Sequence, residues 1–363
     1  MKKFIIIAAA AATVLSLASC NKDTSADKTD NGDCGCIPAE LTVIVQSASS
    51  GTKATGVAGD ETDEAKVNNL QVLVFRGDAL DAYGAIDNNT RVTLSCTSGS
   101  REAYALVNGQ DMKDVKTKTE FLAKVSALSN STRTSMEMIG VKNVTLPNAG
   151  PPITIEVNRF ASRVVLKKIT NNLSSQALRS MEFGVDAIYI TNVAGDCKFS
   201  RMVGINESAA ATPYTPTIWY NKLKDESDNQ IAAFHKDTPS ATIAYNASNS
   251  TAHYFYAYPN PSEADALYDD DFYNGGTWRE RRTKLVLKCH IGTDTYYYPI
   301  ILPVLEPNKS YEINELKITR PGSDNEDIPV SFSDTDFEVD VVNWTSVLVP
   351  DINNGATDGT ITL

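Results

Sequence analysis

Histidine is scarce in this chain: His235, His253 and His290 are the only three in 363 residues. They stand far apart, and none lies in H-E-x-x-H or a similar metal spacing. The nucleophile elbow G-x-S-x-G, the P-loop and the dinucleotide fingerprint G-x-G-x-x-G are missing too. No enzyme, cofactor or metal site is therefore expected. Basic residues are outnumbered, 33 Lys and Arg against 45 Asp and Glu, for a formal net charge of -12. That excludes nucleic acid as a partner, because binding phosphates takes clustered cations. Cysteine is sparse and odd in number once Cys20 is set aside, leaving Cys34, Cys36, Cys96, Cys197 and Cys289. Their spacings match no dense disulfide framework, and Cys34-Gly35-Cys36 has no second pair or nearby His to make a ligand set.

What is present begins at the N-terminus. Met1-Lys2-Lys3 is basic, and Phe4 to Leu17 is apolar apart from Thr13 and Ser16. Such a stretch is too short to span a bilayer comfortably and reads as an export leader. It ends in Leu17-Ala18-Ser19-Cys20, which resembles the lipobox of bacterial lipoproteins, where the cysteine thiol receives a diacylglycerol. Residues 1–19 are thus expected to be removed, and lipid on Cys20 to hold the chain in the outer membrane. Each buried methylene of an acyl chain adds about 0.8 kcal/mol to that hold. Asn21 to Gly35 is polar and without apolar periodicity, so residues 20–36 read as a flexible tether.

The body is a succession of short alternating runs separated by Gly, Asn, Asp and Pro. They are Leu41 to Gln46, Leu70 to Phe75, Arg91 to Cys96, Ala103 to Val107, Ile153 to Val157, Phe183 to Ile190, Tyr254 to Tyr258, Lys284 to Ile291, Tyr296 to Leu302, Tyr311 to Ile318 and Phe337 to Val342. In Lys284 to Ile291 the alternation sets Leu285, Leu287, Cys289 and Ile291 on a buried face, with Lys284, Val286, Lys288 and His290 on a wetter one. One helical period appears between Met112 and Leu128, where Phe121, Leu122, Val125 and Leu128 predict a helix crossing a sheet. This pattern predicts an all-β fold with a minor helix, built as antiparallel β-sandwiches. Pro147 to Pro152 punctuates the chain, dividing it into domains at 37–158 and 159–363.

Two features invite a ligand. Asp269-Asp270-Asp271 is a dense carboxylate cluster, but consecutive side chains diverge and a calcium loop wants alternating ones, so it reads as a solvated loop. Tyr254, Tyr256 and Tyr258, with Tyr296 to Tyr298, suggest a sugar-stacking platform. A surface glycan-binding lipoprotein of a nutrient-uptake system is accordingly the alternative function.

Thr52-Lys53-Ala54-Thr55-Gly56-Val57-Ala58-Gly59-Asp60-Glu61, followed by Lys66-Val67-Asn68-Asn69-Leu70-Gln71-Val72-Leu73-Val74-Phe75, resembles the Bacteroidales fimbrillin family. Phe160 to Leu166 is similar to the start of that family's second domain. Asn308 to Ile313, Thr319 to Gly322 and Val341-Val342-Asn343-Trp344 are similar to its closing strands. The resemblance implies two transthyretin-like β-sandwich domains, a place at the cell surface in a fimbrium, and assembly with other fimbrial subunits by donor-strand exchange. It also implies a processing protease that cuts at a basic residue. Here that is Lys53, where the best-known members have arginine, and the new first residue would be Ala54. The strand carrying Leu41, Val43 and Val45 would leave. Its place would be taken by the C-terminal segment of another subunit, Asp336 to Val349, where Phe337, Val339 and Val341 alternate before the phase shifts at Val342 and Trp344.

Overall fold

Strands dominate, as the alternation predicts. The computed structural model of the chain describes residues 37–47, 61–147, 150–203, 215–222, 231–262, 280–328, 335–344 and 349–350. The first seven long strands are β1 (Pro38–Ser47), β2 (Asn69–Arg76), β3 (Ala79–Asp87), β4 (Arg91–Thr97), β5 (Gly99–Val107), β6 (Met138–Leu146) and β7 (Ile153–Arg159). They form one sheet in the order β3-β2-β5-β6-β7-β1-β4. Buried residues on β1, such as Leu41 and Val43, share a core with Leu70 to Phe75 of β2 and Ala103 to Val107 of β5.

Beyond Arg159 a new set begins: β8 (Ser162–Leu166), β9 (Ile169–Asn171), β10 (Phe183–Thr191), β11 (His253–Ala257), β12 (Lys284–Ile291), β13 (Asp294–Ile301), β14 (Lys309–Ile313), β15 (Leu316–Ile318) and β16 (Val339–Asn343). One sheet runs β11-β8-β14-β16, and another places β10, β12 and β13 side by side. Most pairs are antiparallel, but β1 with β7, β8 with β14 and β9 with β15 run parallel. Parallel neighbours need long crossovers, and in each case most of a sheet's sequence lies between the two strands.

Several local expectations need correcting. The helix expected from Met112 to Leu128 shrinks to Lys118–Leu122, capped by Thr117, whose hydroxyl accepts the Glu120 N–H at 3.1 Å. Val125–Ala127 is instead a strand paired with Asp196–Lys198, and Val125 is exposed. The apolar period therefore came from two elements, with Phe121 turned into the core and Val125 turned out. Strands β3 and β6 gave no clear signal because Asp81, Gly84, Gly140, Lys142 and Asn143 interrupt their alternation. Gly140 is required by packing: a Cβ there would lie 2.0 Å from the Glu156 carbonyl oxygen. On β12 the second face is not uniformly wet. Lys284 is buried and its ammonium meets Asp327 at 2.7 Å, beside Arg281 on the same carboxylate. The expected strand Tyr311 to Ile318 is broken between β14 and β15 at Asn314 and Glu315.

A line of rings joins the parts before and after Arg159. Tyr104 packs edge-on against Phe121 (5.3 Å) and Phe121 edge-on against Phe199 (5.4 Å), while Phe199 against Phe160 (5.2 Å) and Phe160 against Tyr258 (6.1 Å) are tilted. At the end of this line Ser126 bonds both Glu137 and Tyr258, and Ser131 meets the Tyr258 hydroxyl at 3.1 Å. The second Glu137 oxygen meets no donor among the described residues.

Burial pushes the Glu137 carboxyl up to about 7, against the hydrogen bonds from Ser126 and Tyr258 that favour its charged form. The folded chain therefore holds a proton that the unfolded chain releases near its ordinary value of 4.5. This stabilisation is complete below that value and is lost as pH rises through about 7. Glu137→Gln should match the wild type near pH 4 and exceed it near pH 8 by on the order of 3 kcal/mol, read from urea unfolding at both pH values. An equal difference at the two would rule out the carboxyl as its source.

Candidate functional site

The residues expected to exchange fall in two places. Leu41, Val43 and Val45 all point from β1 into the core and are at most 3% exposed. β1 lies between two neighbours. It runs antiparallel to β4, with Leu41 opposite Leu94 and Val43 opposite Val92, and parallel to β7, with Val45 opposite Ile155. Its removal would open a slot one strand wide, about 10 Å between the remaining backbones, with an unpaired ladder on each wall. Burying the three side chains is worth roughly 1.5–3 kcal/mol each. Cys96 lies on the β4 wall, its thiol 3.6 Å from the Ala39 carbonyl of β1.

The C-terminal residues are elsewhere. β16 is the edge strand of its sheet, antiparallel to β14, with Lys309 opposite Asn343 and Ile313 opposite Val339. Phe337 and Val339 pack on the core, Val341 is half exposed, and Trp344 is fully buried. The structure does not bring β1 and β16 into one sheet. Cys20, Lys53 and Ala54 lie outside the described residues, as does the Asp269 to Asp271 cluster.

Trp344 ends β16 in a closed cage that joins segments distant in sequence. Its ring lies under the Arg159 guanidinium at 4.5 Å and near that of Arg163 at 5.2 Å, and stacks on Tyr256 at 5.8 Å. The indole N–H donates to Glu64 at 3.0 Å. The same carboxylate accepts from Arg163 at 2.8 Å and from the Tyr256 hydroxyl at 2.7 Å. Arg159 donates to the Trp344 carbonyl at 3.0 Å and to the Glu64 carbonyl at 3.2 Å. Arg163 also reaches Glu312 at 3.2 Å, and Lys167 closes on that carboxylate at 2.6 Å. Burial alone would raise the Glu312 carboxyl, but hydrogen bonding and charge from Lys167, with help from Ser310 and Arg163, hold it below its ordinary value. Glu64, Arg159 and Arg163 carry no sequence signal as a set, because the first is about a hundred residues from the others.

The cage takes up one of the six tyrosines of the candidate platform, and others are engaged elsewhere. Tyr256 is committed to Glu64 and Trp344, Arg133 covers Tyr254 at 5.2 Å, and Tyr258 is buried. Tyr298 is buried as well, its hydroxyl donating to the Arg320 carbonyl at 2.6 Å. Tyr296 and Tyr297 are only partly buried. Among the described residues no group of His, Cys, Asp and Glu is arranged to hold a metal, and no helix is long and apolar enough to cross a membrane.

Residues 39–159 match the family model described as major fimbrial subunit protein (FimA). The chain resembles the fimbrillins. That stretch is the seven-stranded sheet, from β1 to the last residue of β7. The chain is 27% identical over 207 residues to a major fimbrium subunit FimA type-2 of Porphyromonas gingivalis, an alignment covering 52% of this chain. It spans about half the length of that curated relative, 50%. The fold extends further. A solved fimbrilin from Porphyromonas gingivalis superimposes with a TM-score of 0.57 at 16% identity, covering 85% of this chain and 98% of that one. A cell-adhesion candidate from Bacteroides eggerthii gives a TM-score of 0.63 at 20% identity, covering 84% of this chain and 96% of its own. The fimbrillin-like fold thus includes the strands beyond Arg159.

The cage should be tightly coupled. Trp344→Ala is expected to cost about 3–5 kcal/mol, as large aromatic truncations in a core do. Glu64→Gln, which removes the charge opposite buried Arg163, should cost a similar amount, about 3–5 kcal/mol. Urea unfolding of both single variants and the double variant checks this. Additive losses would mean that the two residues act independently.

Proposed function

We propose that this chain is a structural subunit of a bacterial surface fimbria, exported as a lipoprotein through Cys20 and assembled by donor-strand exchange after a cut at Lys53. The folded units are 37–158 and 159–363. Its partners are other fimbrial subunits, a processing protease and, through lipid, the outer membrane. The role is mechanical rather than catalytic.

The observation that carries this reading is the placement of β1. It is an internal strand, yet it is the first long strand, and Lys53 follows it in a stretch with Gly51, Gly56 and Gly59 and few large apolar residues. Glycine-rich polar segments between elements are where proteases cut. A cut there leaves β1 held without a covalent link to the rest of the fold. Leu41, Val43 and Val45 fill a groove that another strand of alternating apolar residues fits equally well. The C-terminal segment, with Phe337, Val339, Val341, Trp344, Val347 and Val349, has that composition. Exchange of one buried strand for another is close to neutral in free energy, and irreversible cleavage gives it direction. The similarity to major fimbrial subunits, whose family model matches residues 39–159, supports the same conclusion.

Lipidation and processing are tested separately. Metabolic labelling with a fatty-acid analogue should mark the wild type and leave Cys20→Ala unlabelled and unanchored; label on the variant would refute acylation at Cys20.

For processing, polymer extracted from the cell surface should begin at Ala54 by mass spectrometry. Cys96 then reports on β1. Burial, with the Asp81 charge, pushes its thiol up to about 11. In the trimmed monomer a maleimide should label it faster than in the intact chain, and polymerisation should close it again. A Cys96 equally protected before and after trimming would mean that β1 never leaves.

A further inference from the structure

Strand β2 carries an anomaly: Gln71 stands between Leu70 and Val72 and is only 2% exposed. A buried amide is costly unless its polar atoms are met. Here one turn of chain and one ring meet them. The Gln71 nitrogen donates to the carbonyls of Gln110 at 2.9 Å and Gly109 at 3.3 Å. Its oxygen accepts the Met112 N–H at 2.8 Å and the Tyr83 hydroxyl at 3.0 Å. Asn108, at a positive φ of 53–60° typical of these turns, here 55°, ties the start of the same turn to the Lys66 and Met136 carbonyls at 2.8 and 3.0 Å. The turn is thus pinned in place before any ligand arrives, which lowers the ordering cost of binding.

The result is a recess of about 570 Å³ beside the edge strand β3, within the size range of small-molecule sites. Ala85 lies opposite Gln71 in the β2–β3 register and leaves room that a longer side chain would fill. Tyr83, half-buried, lines the recess. Its proton goes to Gln71, so the hydroxyl oxygen remains an acceptor. Burial, with the Asp111 charge, pushes that phenol up to about 12, and it stays protonated at neutral pH. Around the rim stand Asp111, Lys113, Asp114 and Lys116, all exposed. Asp111 accepts the Lys113 N–H at 3.0 Å, which holds its carboxyl below the ordinary value and keeps it an acceptor. Two acids and two bases cancel, so the rim selects for no net charge. It offers a ring, carboxylates, an amide and ammonium groups at close quarters, a set that matches the hydroxyls and the apolar face of a sugar.

We propose that this recess is a binding site for a neutral saccharide, with Tyr83 as its wall and Asp111 and Asp114 as acceptors for sugar hydroxyls. In sheet order β5, β6 and β7 stand between β2 and β1, and β1 contributes nothing to the lining. The site therefore stands on the monomer, whether or not strands exchange. In a polymer of such chains, as proposed above, each copy would carry one recess, and weak contacts repeated along a fibre would add by avidity.

The test presents the full chain, as a monomer, to an array of immobilised neutral, sialylated and sulfated oligosaccharides of hexoses and N-acetylhexosamines. Binding to neutral members is expected, with little change from low to physiological salt. No binding to any neutral member, or binding confined to sialylated or sulfated ones, would overturn the proposal. Ala85→Ile, a β-branched residue at an exposed strand position, fills the recess and should weaken binding by about tenfold or more. Asp114→Asn, on the exposed rim, should weaken it by about threefold to tenfold, because a charge-assisted hydrogen bond becomes a neutral one. Urea unfolding of each variant checks that it folds. Undiminished binding by folded Ala85→Ile would place the sugar elsewhere and overturn the assignment. Should that variant fail to fold, Asp114→Asn decides alone, and undiminished binding by it has the same meaning.

Discussion

One buried carboxylate organises the junction on which the rest of the molecule depends. Glu64 has no exposure of its own, and Arg163, Tyr256 and Trp344 all donate to its carboxylate. An ion pair of this kind adds little net stability compared with an apolar replacement, but it penalises every arrangement that leaves a member without its partners. The cage therefore specifies position. It fixes the end of β16, the start of β8 and the entry into β2 relative to one another. Strand β7 ties this junction to the first sheet, pairing with β1 along Ile153 to Val157 and ending in Arg159 over the indole.

The buried thiols complement that picture. Cys96, Cys197 and Cys289 are free and buried, in three different sheets. Burial raises all three thiols, Cys96 to about 11, Cys197 to about 12 and Cys289 further still. Held apart and protonated, they behave as small apolar side chains, which suits an odd number of cysteines in a chain read as exported.

Strands that bury one face were legible from the chain alone, because alternation is a local property. β1, β4 and β12 follow Leu41, Val43, Val45, then Val92, Leu94, Cys96, then Leu285, Leu287, Cys289. What escaped was set by tertiary partners. Lys284 sits on a face that alternation marks as wet, yet Asp327, 43 residues later, draws it inside. Phe121 and Val125 have the spacing of one helical face, yet one packs between Tyr104 and Phe199 while the other belongs to a strand. The same holds for the candidate site. The apolar faces of β1 and of Phe337 to Val341 could be read from their residue types, whereas the Trp344 cage needed Glu64, Arg159, Arg163 and Tyr256 to be brought together by the fold. Tyr256 shows the ambiguity best, since its ring has the chemistry of a sugar platform and its hydroxyl belongs to Glu64.

The mixed pairing of β1 has a directional consequence. One neighbour runs with it and the other against it, so the two walls of the slot present ladders of different hydrogen-bond geometry. A strand following the course of β1 meets both ladders in the arrangement they already have, whereas a reversed strand would pair parallel with β4 and antiparallel with β7. The slot thus has a head and a tail. On the reading proposed above, a surface that accepts one segment and offers a different segment elsewhere makes a heterologous contact, and repetition of such contacts gives an open chain whose two ends differ.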